Sequence, residues 1–176
     1  MSQLKFPDGF LWGAATASHQ VEGNTTNDWS EWEKQNADRL AQEAQSKFGH
    51  IKYWERLRPE AEDPMNYISG EACDHYHRFR EDFDIAKSLH HNAHRFSIEW
   101  SRIEPTEGVF DDKAIAHYRD VLSALHERGI TPFVTLWHWT LPLWLRDKGG
   151  VASKQFPTYF ERYTRHVVGK LHDQVK

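Results

Sequence analysis

A single cysteine, Cys73, stands among the 176 residues, so no intrachain disulfide can form and a reducing, cytoplasmic setting is expected. No basic, apolar, small-residue leader precedes Phe6. Long hydrophobic runs are missing as well. His, Thr or Arg interrupts each apolar stretch well before the roughly 18 residues that a membrane helix needs, and a soluble chain with no membrane partner is expected. Neither sign of charge is in strong excess: 22 basic and 26 acidic side chains leave a net charge of -4. The Lys and Arg residues are scattered rather than blocked, which argues against nucleic acid as a partner. What the chain does have is aromatic surface, with eight Trp and 14% aromatics against only 39% hydrophobic residues.

Residues 10 to 17, FLWGAATA, form an apolar run between Pro7-Asp8-Gly9 and a polar stretch, and read as a first strand. Residues 24 to 70 show no sustained period and read as a long loop insertion, in which Trp29 to Lys34 and Arg39 to Lys47 suit short helices. No repeat or low-complexity segment is evident, and the aromatics in 24 to 70 argue against a disordered linker. From Ala72, the stripe Tyr76, Phe79, Phe83, Ala86 and Leu89 predicts a helix that buries Cys73 and is capped by Asn92. His94 to Trp100 alternates, with Phe96, Ile98 and Trp100 on one face and Arg95, Ser97 and Glu99 on the other, which predicts a second strand. Asp111 or Asp112 caps a helix with stripe Ile115, Tyr118, Leu122 and Leu125, and Gly129 ends it. A third strand from Thr131 to His138 is followed by a helix that starts near Pro157 and carries Phe160, Tyr163, Val167 and Leu171.

The order β-α-β-α-β-α implies parallel strands joined by right-handed crossovers, as in a doubly wound sheet or a piece of a TIM barrel. A dinucleotide-binding sheet requires a glycine-rich loop after the first strand, where Thr16-Ala17-Ser18-His19-Gln20-Val21-Glu22-Gly23 stands instead. Barrels carry their working groups at the C-terminal strand ends, which here present Gln20 and Glu22, then Glu99, Trp100 and Arg102, then His138 and Trp139. The barrel reading fits better: an α/β fold comprising a partial (β/α)8 barrel of about three βα units, in a single domain over residues 1 to 176.

Amide and imidazole groups beside indole rings suit a carbohydrate, whose hydroxyls they bond while the ring packs on the apolar C–H face. The alternative is that Trp12, Trp100, Trp137 and Trp144 fill core. Arg95, within an apolar strand, calls for a carboxylate to offset its desolvation. Glu99 lies about 13 Å further along an extended strand, too far to serve. Metal binding is not expected, because His75 and His77 diverge on a helix and His90, His91 and His94 lack ligand spacing. Cys73 has no nucleophile signature, and no cofactor is implied. Of the carboxylates that glycoside hydrolysis would use, Glu104 and Glu107 flank Pro105 in a loop expected to be solvated, while Glu22 and Glu99 are better placed.

Four ordered blocks resemble the family 1 glycoside hydrolases, chiefly β-glucosidases. They are FLWGAATASHQVEG from Phe10 to Gly23, HRFSIEWSRI from His94 to Ile103, PFVTLWHWTLP from Pro132 to Pro142, and Trp144-Leu145 with Gly149-Gly150. The resemblance implies a barrel that cleaves terminal β-linked sugars with retention. It makes Gln20, His138 and Trp139 the contacts to the non-reducing sugar, and turns Arg95 toward the nucleophilic carboxylate. His19 replaces a Tyr usual in the family, and Val151 a frequent Trp.

The resemblance also places the acid/base Glu after a fourth strand and the nucleophile after a seventh, so no catalytic residue is assigned among these residues. A retaining pair must stand roughly 5 Å apart, and without it the 176 residues are expected to contact sugar but not hydrolyse it alone. Three strands also leave two open edges and a bare inner face, so a complementary barrel half or further copies are expected as partners beside a β-glycoside or monosaccharide ligand. A non-catalytic carbohydrate-binding or oligomer-forming partial barrel is the alternative.

Overall fold

The computed structural model describes residues 5–175. In chain order the elements are β1 (Gly13–Ala15), α1 (Ser18–Val21), α2 (Asp28–Phe48), α3 (Trp54–Ala61), α4 (His75–Ser88), β2 (Ala93–Ser97), α5 (Trp100–Ile103), α6 (Asp112–Glu127), β3 (Thr131–Thr135), α7 (Leu143–Asp147) and α8 (Phe156–Leu171). The three strands pair in parallel in the order β1-β2-β3, with Ala15 opposite Arg95 and Arg95 opposite Phe133. Because side chains alternate along each strand, these three share one face and His94, Phe96 and Val134 the other. The second face packs on α4, α6 and α8 through Phe83, Phe96, Leu122, Leu125 and Val167. The first leaves Arg95 and Phe133 exposed. Helices on one face of strands in sequence order are the arrangement of consecutive barrel units, whereas a doubly wound sheet carries helices on both faces.

The predicted helices form where their stripes place them. Asp111 caps α6, accepting from the Lys113 N–H at 2.8 Å, and Leu122 and Leu125 beyond it are completely buried. Each such leucine contributes about 1.5–3 kcal/mol through removal from water. Pro157 stands in the first turn of α8, where its missing N–H costs nothing.

Four local expectations are corrected. The segment 24–70 is mostly helical, with α2 a single helix of 21 residues. Its buried stripe is Ala37, Ala41 and Ala44, too small to register as an apolar period, and its start is fixed by a reciprocal cap between Asn27 and Ser30. Cys73 is exposed in a turn, because α4 begins only at His75 after Asp74 adopts φ +52°. Asn92 does not cap α4. Leu89 takes that place, and Asn92 instead accepts from Trp12 N–H at 2.6 Å and donates to the Phe10 carbonyl at 3.1 Å, stitching β1 to β2. The strands are also shorter than their apolar runs, since the residues beyond Ala15, Ser97 and Thr135 turn away to build the strand-end surface. No helix among the described residues is long and apolar enough to cross a membrane.

Candidate functional site

Gln20 on α1, and His138 and Trp139 just past β3, line one cleft of about 620 Å³. The three residues proposed for a sugar are thus brought together from opposite edges of the sheet. Trp139 is 76% exposed and sits at φ +73°, a strained conformation for a bulky side chain. It is the centre of a tight three-residue turn closed by the Thr140 N–H donating to the His138 carbonyl at 3.0 Å. The turn is held from behind: the Trp137 indole N–H donates to the Thr140 carbonyl at 3.0 Å, and the Thr140 hydroxyl donates to Glu99 Oε2 at 3.0 Å. An exposed indole carried on a backbone turn fixed in this way offers a flat face to a ligand.

The excursion after β1 supplies cleft residues that periodicity did not single out, namely Asp28, Trp29, Glu33 and Ser69. Asp28 docks α2 beside the third strand end, its N–H donating to the Leu141 carbonyl at 3.0 Å and its Oδ1 accepting from Leu141 N–H at 2.7 Å. Burial pushes the Asp28 carboxyl above its ordinary range. His19 is buried, with its Nε2 3.1 Å from Glu33 Oε1 and its Nδ1 3.2 Å from both Thr25 and Asn27. Glu33 in turn accepts from Ser69 N–H at 2.9 Å and Ser69 Oγ at 2.7 Å. The departure from Tyr at position 19 is therefore absorbed by a polar network. The asparagine cap before α2 was the one signal that could have placed this segment.

Arg95 lies apart from the cleft. It was expected to be buried, yet it is exposed on the open face of the sheet, where its guanidinium donates to Thr135 Oγ1 at 3.4 Å. Among the described residues no carboxylate pairs with it.

Each of the four candidate carboxylates is committed elsewhere. Glu22 is 4% exposed and accepts from Arg102 Nε and from the Tyr118 hydroxyl, both at 2.8 Å. Burial nonetheless raises its carboxyl to about 7. Glu99 is completely buried. Glu104, expected to be solvated, is completely buried too, accepting from Trp100 Nε1 at 2.9 Å and Gly108 N–H at 2.7 Å and pairing with Arg162. Glu107 pairs with Lys148. None of the four lines the 620 Å³ cleft. Trp100 fills core at 1% exposure, Trp137 and Trp144 are half-buried, and Trp12 is exposed. Among the described residues no group of three or more His, Cys, Asp or Glu side chains is arranged to hold a metal ion.

The chain is 38% identical to Beta-glucosidase A of Thermotoga maritima over 181 residues, an alignment that takes in 100% of this chain and 36% of the relative. The beta-glycosidase from Pyrococcus horikoshii superposes with a TM-score of 0.76 at 38% identity, over 98% of this chain and 34% of that one. The Thermotoga maritima beta-glucosidase, solved in complex with a methoxycarbonyl-substituted glucoimidazole, gives 0.73 at 36% identity over 98% and 36%. The chain thus spans about a third of the length of the relatives it matches. Its backbone is a partial (β/α)8 barrel, the fold that its strand order and strand-end residues lead one to expect. The family model for glycosyl hydrolase family 1 matches residues 2–176, and the chain belongs to that family.

Proposed function

We propose that these residues form the sugar-contacting sector of a retaining β-glycosidase that acts on β-glucosides or similar small β-glycosides. The observation that carries this reading is the convergence of Gln20, His138 and Trp139 on one cleft. The Gln20 amide and the His138 ring bond the hydroxyls of the non-reducing sugar, and the Trp139 indole packs on its C–H face. The glucoimidazole held by the Thermotoga relative is the kind of ligand this cleft would take.

Hydrolysis with retention needs two carboxyl groups about 5 Å apart and open to the glycosidic bond. Glu22, Glu99, Glu104 and Glu107 are engaged by Arg102, Thr140, Arg162 and Lys148 respectively. The catalytic pair is therefore assigned to further barrel units, and the exposed Arg95 is the cation that would support the nucleophile there. A complementary barrel half would also cover Phe133 and the free edge of β3. The free, exposed Cys73 suits a reducing compartment such as the cytoplasm.

Incubating the 176 residues alone with a chromogenic aryl β-glucoside tests the assignment. No release above the buffer blank is expected, while calorimetry with a glucoimidazole registers binding that Gln20→Ala and Trp139→Ala abolish. Sustained turnover that disappears in Glu22→Gln/Glu99→Gln would overturn the division of labour. Binding indifferent to Gln20 and Trp139 would overturn the site.

A further inference from the structure

Glu99 is the most heavily engaged side chain behind the cleft. Its Oε2 accepts from Ser18 Oγ at 2.9 Å and Thr140 Oγ1 at 3.0 Å, and its Oε1 from Ser101 Oγ at 2.9 Å and Asn27 Nδ2 at 3.4 Å. The donors come from all three strand ends and from the cap of α2. No Lys, Arg or His among the described residues lies within 4 Å of it as an ion-pair partner. A buried carboxylate without a counter-ion is costly unless every lone pair is satisfied. Such a group is strict about geometry, because each donor is held at the distance and angle that its oxygen accepts.

The donors are the immediate neighbours of the sugar residues. Ser18 precedes Gln20 by two positions on α1, and its N–H is also fixed by Ser97 Oγ at 2.8 Å. Thr140 follows Trp139 directly and closes its strained turn. The geometry points to Glu99 as the positioning residue of the sugar site: one oxygen, Oε2, ties the Gln20 segment to the Trp139 turn and sets the gap into which a pyranose fits. This rests on the sugar-site reading of the cleft. Glu99 itself, completely buried and outside the cleft lining, does not touch the ligand.

Thr140→Val tests the link, since it keeps the shape of the side chain and removes only the hydroxyl. Ser101→Ala serves as the control, because it also takes a hydroxyl from Glu99 but one that leads to no sugar residue. With the chain labelled with 5-fluorotryptophan, ¹⁹F NMR resolves the eight Trp residues, and the Trp139 signal is the one lost in Trp139→Phe. Thr140→Val is expected to shift or broaden that signal and to weaken glucoimidazole binding about tenfold, the scale of one lost hydrogen bond to a charged group. Thr140→Ser restores both, and Ser101→Ala changes neither. If the signal and the affinity of Thr140→Val match those of the parent, or if Ser101→Ala disturbs both equally, Glu99 is merely structural and the proposal falls. If the Trp139 signal moves in Thr140→Val while Gln20→Ala and Trp139→Ala leave sugar binding untouched, the sugar-site reading itself fails and takes the proposal with it.

Discussion

Glu22 sets burial against an ion pair in one side chain, and the pH dependence of stability decides which prevails. Its carboxyl titrates at about 7 in the folded chain against an ordinary 4.5, with burial as the largest influence and Arg102 and Tyr118 pulling the other way. The folded state therefore holds a proton that the unfolded state has released, so stability falls as pH rises. The contribution is fully present below about 4.5 and lost as pH climbs through 7, and the gap is worth about 3 kcal/mol. Glu22→Gln keeps an acceptor for Tyr118 and Arg102 while removing the titration. Urea unfolding of parent and variant from pH 5 to pH 8 isolates the effect, because the slopes of all other groups cancel in the difference. The two proteins should be about equally stable at pH 5, and the variant should gain steadily up to pH 8, by as much as about 3 kcal/mol. A difference that stays constant across the range would mean that the Arg102 pair at 2.8 Å outweighs burial.

Other outcomes follow from single features. Trp139→Gly releases a φ of +73° at a residue 76% exposed, so Tm should hold or rise while glucoimidazole binding, followed by calorimetry, is lost. His94, whose imidazole burial depresses from 6.5 to about 4, contributes stability that is present above 6.5 and lost as pH falls toward 4. His94→Gln should flatten the acid limb of a Tm against pH curve, and an unchanged limb would count against a buried neutral ring. Leu122→Ala removes a completely buried side chain of α6 from the hydrophobic core and should cost about 2–5 kcal/mol in urea unfolding. A loss below 1 kcal/mol would show that the helix layer is loosely packed.

The uneven legibility of the chain has a physical origin. Period reports which face of an element is buried, so the stripes of α4, α6 and α8 and the alternation of β2 were readable from Phe83, Leu122, Val167 and Phe96 alone. It fails where burial is achieved by small side chains. Ala37, Ala41 and Ala44 hide the period of α2, so an element that carries Asp28 and Trp29 into the cleft reads as a loop. Strand-end position offered Gln20, His138 and Trp139 alongside Glu22, Glu99, Trp100 and Arg102, because a barrel collects such residues at one rim, and the family resemblance singled out the three that line the cleft. The alternation of β2 correctly put Arg95 on the opposite face from Phe96, but its apolar surroundings wrongly suggested burial. Its exposure depends on what covers the inner face of the sheet, and neither strand parity nor the neighbouring residues specify that.

Polar networks are the least legible feature of all. Glu104 beside Pro105 has the local look of a solvated acid, yet its partner Arg162 is 58 residues away. Glu99 draws its donors from Ser18, Asn27 and Thr140, 81, 72 and 41 residues distant. Such contacts are set by where the strands end in space, and an isolated Glu in a sequence carries no mark of them. The residues proposed to contact sugar can thus be read from short motifs, while the carboxylate proposed to hold them at their working distance emerges only when the strand ends meet.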